Sequence, residues 1–110
     1  MRWYRPLPRY PSVRRDLAIV IQESVQWANV LKIAEEAIKK GVVDLNLLDT
    51  SMEEIRLESI YRGKGLAEGE KSLAFAMIFR SSTDTLTDSE ANALADIVLR
   101  ALQYTGARLR

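Results

Sequence analysis

Cysteine and histidine are both missing from the 110 residues. Their absence excludes disulfides, thiolate nucleophiles, histidine acid–base catalysis and zinc sites of the usual Cys/His kinds. Long hydrophobic runs are missing as well. No stretch approaches the roughly 20 apolar residues that a membrane helix needs, and no signal-peptide core follows Met1. Proline is confined to Pro6, Pro8 and Pro11. The Arg-rich, acid-free start has the composition of a transit peptide, but these prolines prevent the amphipathic helix that such a segment forms. Neither sign of charge prevails: 16 Lys and Arg stand against 15 Asp and Glu, net +1. A generic polyanion binder is therefore not expected.

What is present is ordinary globular composition, 47% hydrophobic and 28% charged, enough for one domain with one modest core. The basic residues are unevenly spread. Arg2, Arg5, Arg9, Arg14 and Arg15 all precede the first acid, Asp16, and Arg100, Arg108 and Arg110 crowd the other end. A cytosolic location fits this composition.

Residues 1–9 read as an extended lead-in or linker, with Trp3, Tyr4 and Tyr10 available to pack on the body, and residues 10–110 as the domain. Pro11 fixes its own φ and biases Tyr10 toward an extended conformation. Leu17, Ile19 and Ile21 then alternate with Asp16, Ala18 and Val20, a period of two that marks a strand over 15–22. Trp27, Val30, Leu31, Ala34, Ala37 and Ile38 fall at helical spacing, and Gly41 after Lys39 and Lys40 reads as the helix stop.

Residues 42–51 give no clear pattern, a short helical turn or an irregular loop. A second strand is expected over 54–61, ending at Gly63-Lys64-Gly65. A third is expected over 72–80, with Leu73, Phe75, Met77 and Phe79 on one face and Ser72, Ala74, Ala76 and Ile78 on the other. Thr87 and Glu90 form a capping box. The helix it opens carries Ala91, Leu94, Ala95, Val98, Ala101 and Leu102 on one stripe and ends at Gly106, before a last strand over 107–110.

The order β-α-β-β-α-β is the ferredoxin-like α+β pattern. It implies an antiparallel four-stranded sheet in order 4-1-3-2, with both helices on one face and the other face open. Ala18, Ala74 and Ala76 would then form a shallow floor that a flat base could approach. Arg14, Arg15, Arg80 and Arg110 are expected to gather at one edge, as guanidinium forks suited to phosphate or to guanine. Tyr61 is the stacking candidate for an unpaired base. The residue pattern alone leaves two readings of the open face, an RNA surface or an interface to another domain or subunit. It also leaves Tyr61 as a plug of the sheet edge and each arginine as a solvated or ion-paired surface residue.

Certain blocks narrow the choice. Tyr10-Pro11-Ser12-Val13-Arg14-Arg15-Asp16-Leu17-Ala18, Lys71-Ser72-Leu73-Ala74-Phe75, Thr85-Leu86-Thr87-Asp88-Ser89-Glu90 and Gly106-Ala107-Arg108-Leu109-Arg110 closely resemble, in order and spacing, the ferredoxin-fold anticodon-binding domain. That domain forms the C-terminus of the phenylalanyl-tRNA synthetase beta subunit. The resemblance runs from about Tyr10 to Arg110.

It implies a non-catalytic module of an aminoacyl-tRNA ligase, one that grips the anticodon stem-loop of phenylalanine tRNA. The partners would be the rest of the beta subunit and the catalytic alpha subunit, with ATP and magnesium used elsewhere and no cofactor in this domain. It further implies a pocket for the first anticodon base at Ala18, Ser59, Tyr61 and Arg110, with Arg14, Arg15, Arg80 and Arg108 as electrostatic contacts to phosphate. The family pattern "LFDVY" reads Leu57-Glu58-Ser59-Ile60-Tyr61 here. Ser59 thus replaces a carboxylate that would accept two guanine hydrogen bonds, and Glu58 falls at an expected inward position where a lone charge is costly. The longer approach to this strand implies a shifted or reshaped strand two.

Tyr61 and Arg110 are expected on opposite outer strands, roughly 14 Å apart. The alternative function is a regulatory or protein-docking module of the same fold. An acylphosphatase-like enzyme is disfavoured because no phosphate-cradling glycine loop with the required arginine and asparagine is present.

Overall fold

In the computed structural model, residues 10–110 are described. The expected lead-in of 1–9, with Trp3 and Tyr4, lies outside the described residues. The elements are β1 (Val13–Gln22), α1 (Trp27–Asp44), β2 (Thr50–Tyr61), β3 (Glu70–Ser81), α2 (Asp88–Tyr104) and β4 (Arg108–Leu109). The sheet order is β2-β3-β1-β4, every pairing antiparallel. This is the expected ferredoxin-like topology read from the other edge.

Alternation decides the layers. Ile19 and Ile21 of β1, and Leu73, Phe75, Met77 and Phe79 of β3, point into one core with Val30, Ala34 and Ile38 of α1 and Leu94, Val98 and Leu102 of α2. Trp27 packs its ring 5.5 Å from that of Phe75. Both helices lie on this face. Among the described residues no helix is long and apolar enough to cross a membrane.

The helix ends follow local chemistry. α2 starts at the expected capping box: Thr87 Oγ1 accepts from the Glu90 amide at 3.1 Å, and the Glu90 carboxylate accepts from the Thr87 amide at 2.9 Å. It closes at Gly106, φ +106°, with the Ala107 and Gly106 amides returning to Leu102 O and Gln103 O, the Schellman arrangement.

Gly41, in contrast, is not the stop of α1. The helix runs on to Asp44 and closes at Asn46, φ +57°, with the Asn46 and Leu47 amides returning to Val43 O and Val42 O. Asn supplies the left-handed residue that glycine supplies in α2. Gly41 is buried, and a Cβ there would lie 2.9 Å from Ile97 Cδ1. Its role is to let α1 and α2 approach.

Residues 42–51 resolve accordingly into the last turn of α1, the Asn46 closure and the start of β2. The strands also differ in length from expectation. β1 starts at Val13, paired with Phe79, and β2 starts at Thr50, paired with Ser81 at the extended end of β3. β4 shrinks to Arg108–Leu109, pairing only with Ile19 and Val20.

Candidate functional site

On the open face Ala18 lies opposite Ala74, and Ser59 lies opposite the same Ala74 from β2. Tyr61 lies opposite Ser72, which faces Val20 on the other side. The Arg110 amide donates to Ala18 O at 2.9 Å. Ala18, Ser59, Tyr61 and Arg110 therefore surround one small floor of Ala74 and Ser72. The separation expected between the strands of Tyr61 and Arg110 is spanned by the arginine side chain. Its Nη1 donates to Ser72 Oγ at 3.2 Å, and its Cζ sits 4.6 Å from the Tyr61 ring centroid. The Tyr61 hydroxyl donates to Lys64 O at 2.9 Å, fixing the ring against the β2–β3 turn. Ser72 is only 1% exposed although it faces outward, since Arg110 lies across it.

The other arginines are engaged within the protein. Arg14 bonds Asp16 at 2.9 Å and Glu58 at 2.8 Å. The hydrogen bond to Asp16, and then the charges of Asp16 and Glu58, hold its guanidinium even further above neutrality than usual. Arg15 takes the opposite face, because alternate residues of a strand point opposite ways. It bonds Asn92 at 2.8 Å and Asp88 at 3.2 Å, both on α2. Arg15 therefore does not join Arg14 on the open face, contrary to the expected gathering of the two. Arg80 pairs with Glu53 at 2.9 Å and donates to Tyr10 O. Arg108 is bidentate to Glu70. The expected gathering of Arg110 with Arg14 and Arg80 at one edge also fails. β4 meets β1 only at Ile19 and Val20, so Arg110 comes to rest beside Ala18.

Strand two is reshaped, as its longer approach implied. Its register slips between Met52 and Glu54 and again between Leu57 and Ser59. At the second bulge Leu57 takes the inward position opposite Phe75. Glu58 is not inward but on the open face, between Arg14 and Arg56, whose Nη2 lies 3.6 Å from its Oε1. The extra residue of a bulge shifts alternation by one, which spares a buried charge. Arg56 also pairs with Glu54 at 2.8 Å.

The open face accordingly has two halves. Around Arg14, Asp16, Glu54, Arg56 and Glu58 it is a network of alternating charge. Around Ala18, Ala74, Ser59 and Tyr61 it is small and uncharged, with Arg110 stacked over it. Sequence reasoning missed Ser72 as the hydroxyl that seats Arg110. Its place directly opposite Tyr61 was the available signal.

The family description "Ferredoxin-fold anticodon binding domain" (FDX-ACB) matches residues 8–110. Among curated relatives, the Phenylalanine–tRNA ligase beta subunit of Geobacillus kaustophilus is 40% identical over 108 residues, covering 97% of this chain and 12% of the relative. That of Symbiobacterium thermophilum is 38% identical over 107 residues, covering 97% of this chain and 11% of the relative. That of Pasteurella multocida is 36% identical over 99 residues, covering 90% and 11%. The chain thus spans only 11–12% of the length of these relatives.

Proposed function

The chain belongs to the ferredoxin-fold anticodon-binding domain family, and from that premise we propose that its open sheet binds the anticodon stem-loop of phenylalanine tRNA. We assign it to a cytoplasmic phenylalanine–tRNA ligase, as a non-catalytic module of the beta subunit. The alpha subunit would carry the ligation chemistry, and ATP and magnesium would be used there.

The observation that carries this reading is the stack of Arg110 on Tyr61 above a floor of Ala18, Ala74 and Ser72. A ring lying against a shallow uncharged floor is what a splayed base needs, since every base offers a π-face. The guanidinium beside it donates to base edge or phosphate. Ser59 supplies a single hydroxyl where the family resemblance implies a carboxylate, so readout of the first anticodon base is weaker here than tRNA binding itself.

One observation favours the runner-up, a protein-docking module. The Arg14, Asp16, Arg56 and Glu58 half of the face is already self-paired and offers little net charge to RNA. Titrating the chain with the phenylalanine anticodon stem-loop over a salt series separates the two. Binding that weakens steeply with salt is expected of the RNA reader. Absence of binding at low salt would remove the anticodon reading.

A further inference from the structure

Apart from Arg110, the arginines of the open face are paired with carboxylates, so the positive charge left for RNA lies around that residue. Among the described residues, Arg14, Arg56, Arg62, Arg80 and Arg108 all have carboxylate partners within 4 Å. Among the described residues Arg110, seated on Ser72 and Tyr61, has no carboxylate partner, and Lys64 has none either. These two cations line one pocket of about 210 Å³, together with Val20, Gly65, Leu66 and Leu109 and the Glu70-paired Arg108.

The turn that carries Lys64 is built for close approach. The Leu66 amide donates to Gly63 O at 3.1 Å, and Gly65 holds φ +91° at the third position of the turn, where glycine is required. A Cβ at Gly65 would meet nothing within 4 Å, so the space over that backbone is open. Among the described residues the amides of Lys64 and Gly65 donate to no carbonyl. Successive free amides in a turn form an anion-binding concavity. The Lys64 carbonyl, on the same turn, accepts from the Tyr61 hydroxyl, so the pocket begins where the stacking ring ends.

We infer that this pocket is a phosphate site for the RNA backbone, with Lys64 and the amides of Lys64 and Gly65 on one wall and Arg110 on the other. The inference rests on the anticodon-binding reading and adds to it the backbone anchor next to the stacked base. A phosphodiester flanking a base on Tyr61 enters the pocket without crossing the ion-pair network. The contact is to phosphate and is blind to sequence.

The test is the salt dependence of binding to the phenylalanine anticodon stem-loop, for the unsubstituted chain, Lys64→Ala, Lys64→Arg and Lys40→Ala on the exposed side of α1. Lys64→Ala is expected to weaken binding several-fold, equally for native and anticodon-substituted loops. It should also lower the slope of log affinity against log salt by about 0.7 to 1, the loss of one phosphate contact. Lys64→Arg should restore the slope, and Lys40→Ala should leave it alone. Full-strength binding by Lys64→Ala with an unchanged slope would overturn the phosphate site and leave the anticodon reading standing. No binding by the unsubstituted chain would overturn both.

Discussion

Arg110 reaches across β1 and β3 to stack on Tyr61, with its guanidinium carbon 4.6 Å from the ring centroid. The stack occupies the surface that an incoming base would use. An exposed cation–π contact is worth about 0.5–1 kcal/mol, whereas a base on an aromatic ring contributes about 1–3 kcal/mol. A base therefore displaces or sandwiches the arginine at a net gain. Tyr61→Ala should cost about 1–3 kcal/mol of stem-loop affinity, and Tyr61→Phe, which keeps the ring and loses the bond to Lys64 O, markedly less. Equal losses in a binding titration would mean that the hydroxyl, and not the ring, carries the contact.

Ser59 faces Ala74 on the same floor. Ser59→Asp restores a group that accepts two hydrogen bonds from guanine at once. It is expected to widen the preference for guanine over adenine at the first anticodon position, by about 1–3 kcal/mol for a well-formed bidentate pair. The check is the ratio of affinities for the two loops. An unchanged ratio would place the first base away from residue 59.

Gly41 of α1 faces Ile97 of α2, whose Cδ1 would lie 2.9 Å from a Cβ at that position. Gly41→Val would drive two methyl groups into Ile97 and should destabilise the chain by about 1–3 kcal/mol, the usual cost of overpacking. Combining it with Ile97→Ala should recover part of that loss, a coupling that urea unfolding of the single and double variants measures. Strict additivity would show that the two positions do not touch.

Glu70 and Glu23 set the acid response. The hydrogen bond from Arg108, followed by the Ala67 amide, holds the Glu70 carboxyl below its ordinary range. Arg62 first, and then Lys71, do the same for Glu23. A carboxyl with a depressed folded pKa stabilises the fold above its unfolded value, and that stability is lost as pH falls through the folded value. Stability should therefore hold at neutral pH and decline below about pH 4.3. Arg108→Ala should return the Glu70 titration toward the ordinary carboxylate range. Carboxyl chemical shifts followed against pH test this directly, and an unmoved Glu70 in that variant would contradict it.

Elements whose cause is local were legible in the chain. Thr87 and Glu90 announced the start of α2, and the alternation of Leu73 to Phe79 announced β3 and its buried face. Gly41 misled because a glycine that ends a helix and one that admits a neighbouring helix read alike until the neighbour, Ile97, is in place. Glu58 misled for a related reason. Period-two reading has no way to count the unpaired residue of a bulge, so the slip between Leu57 and Ser59 reverses the face of the residues from Leu57 back to Glu54, where the slip at Met52 restores it. At the site, the residues Ala18, Ser59, Tyr61 and Arg110 were found together, but not the partners of the arginines. Glu58, Asp88, Glu53 and Glu70 are far from them in sequence, and only the folded sheet, with α2 packed on it, brings each pair into contact.

The two register slips in β2 have a consequence for the molecule's dealings with its own copies. β2 is an edge strand of 12 residues, long enough to template a further strand and to seed aggregation. Its bulges break the regular ladder that an intruding chain would need, and the charges of Glu53, Glu54, Arg56 and Glu58 make a bare edge costly to cover. The irregularity that hid the facing of Glu58 from sequence reasoning is also what discourages the sheet from growing sideways.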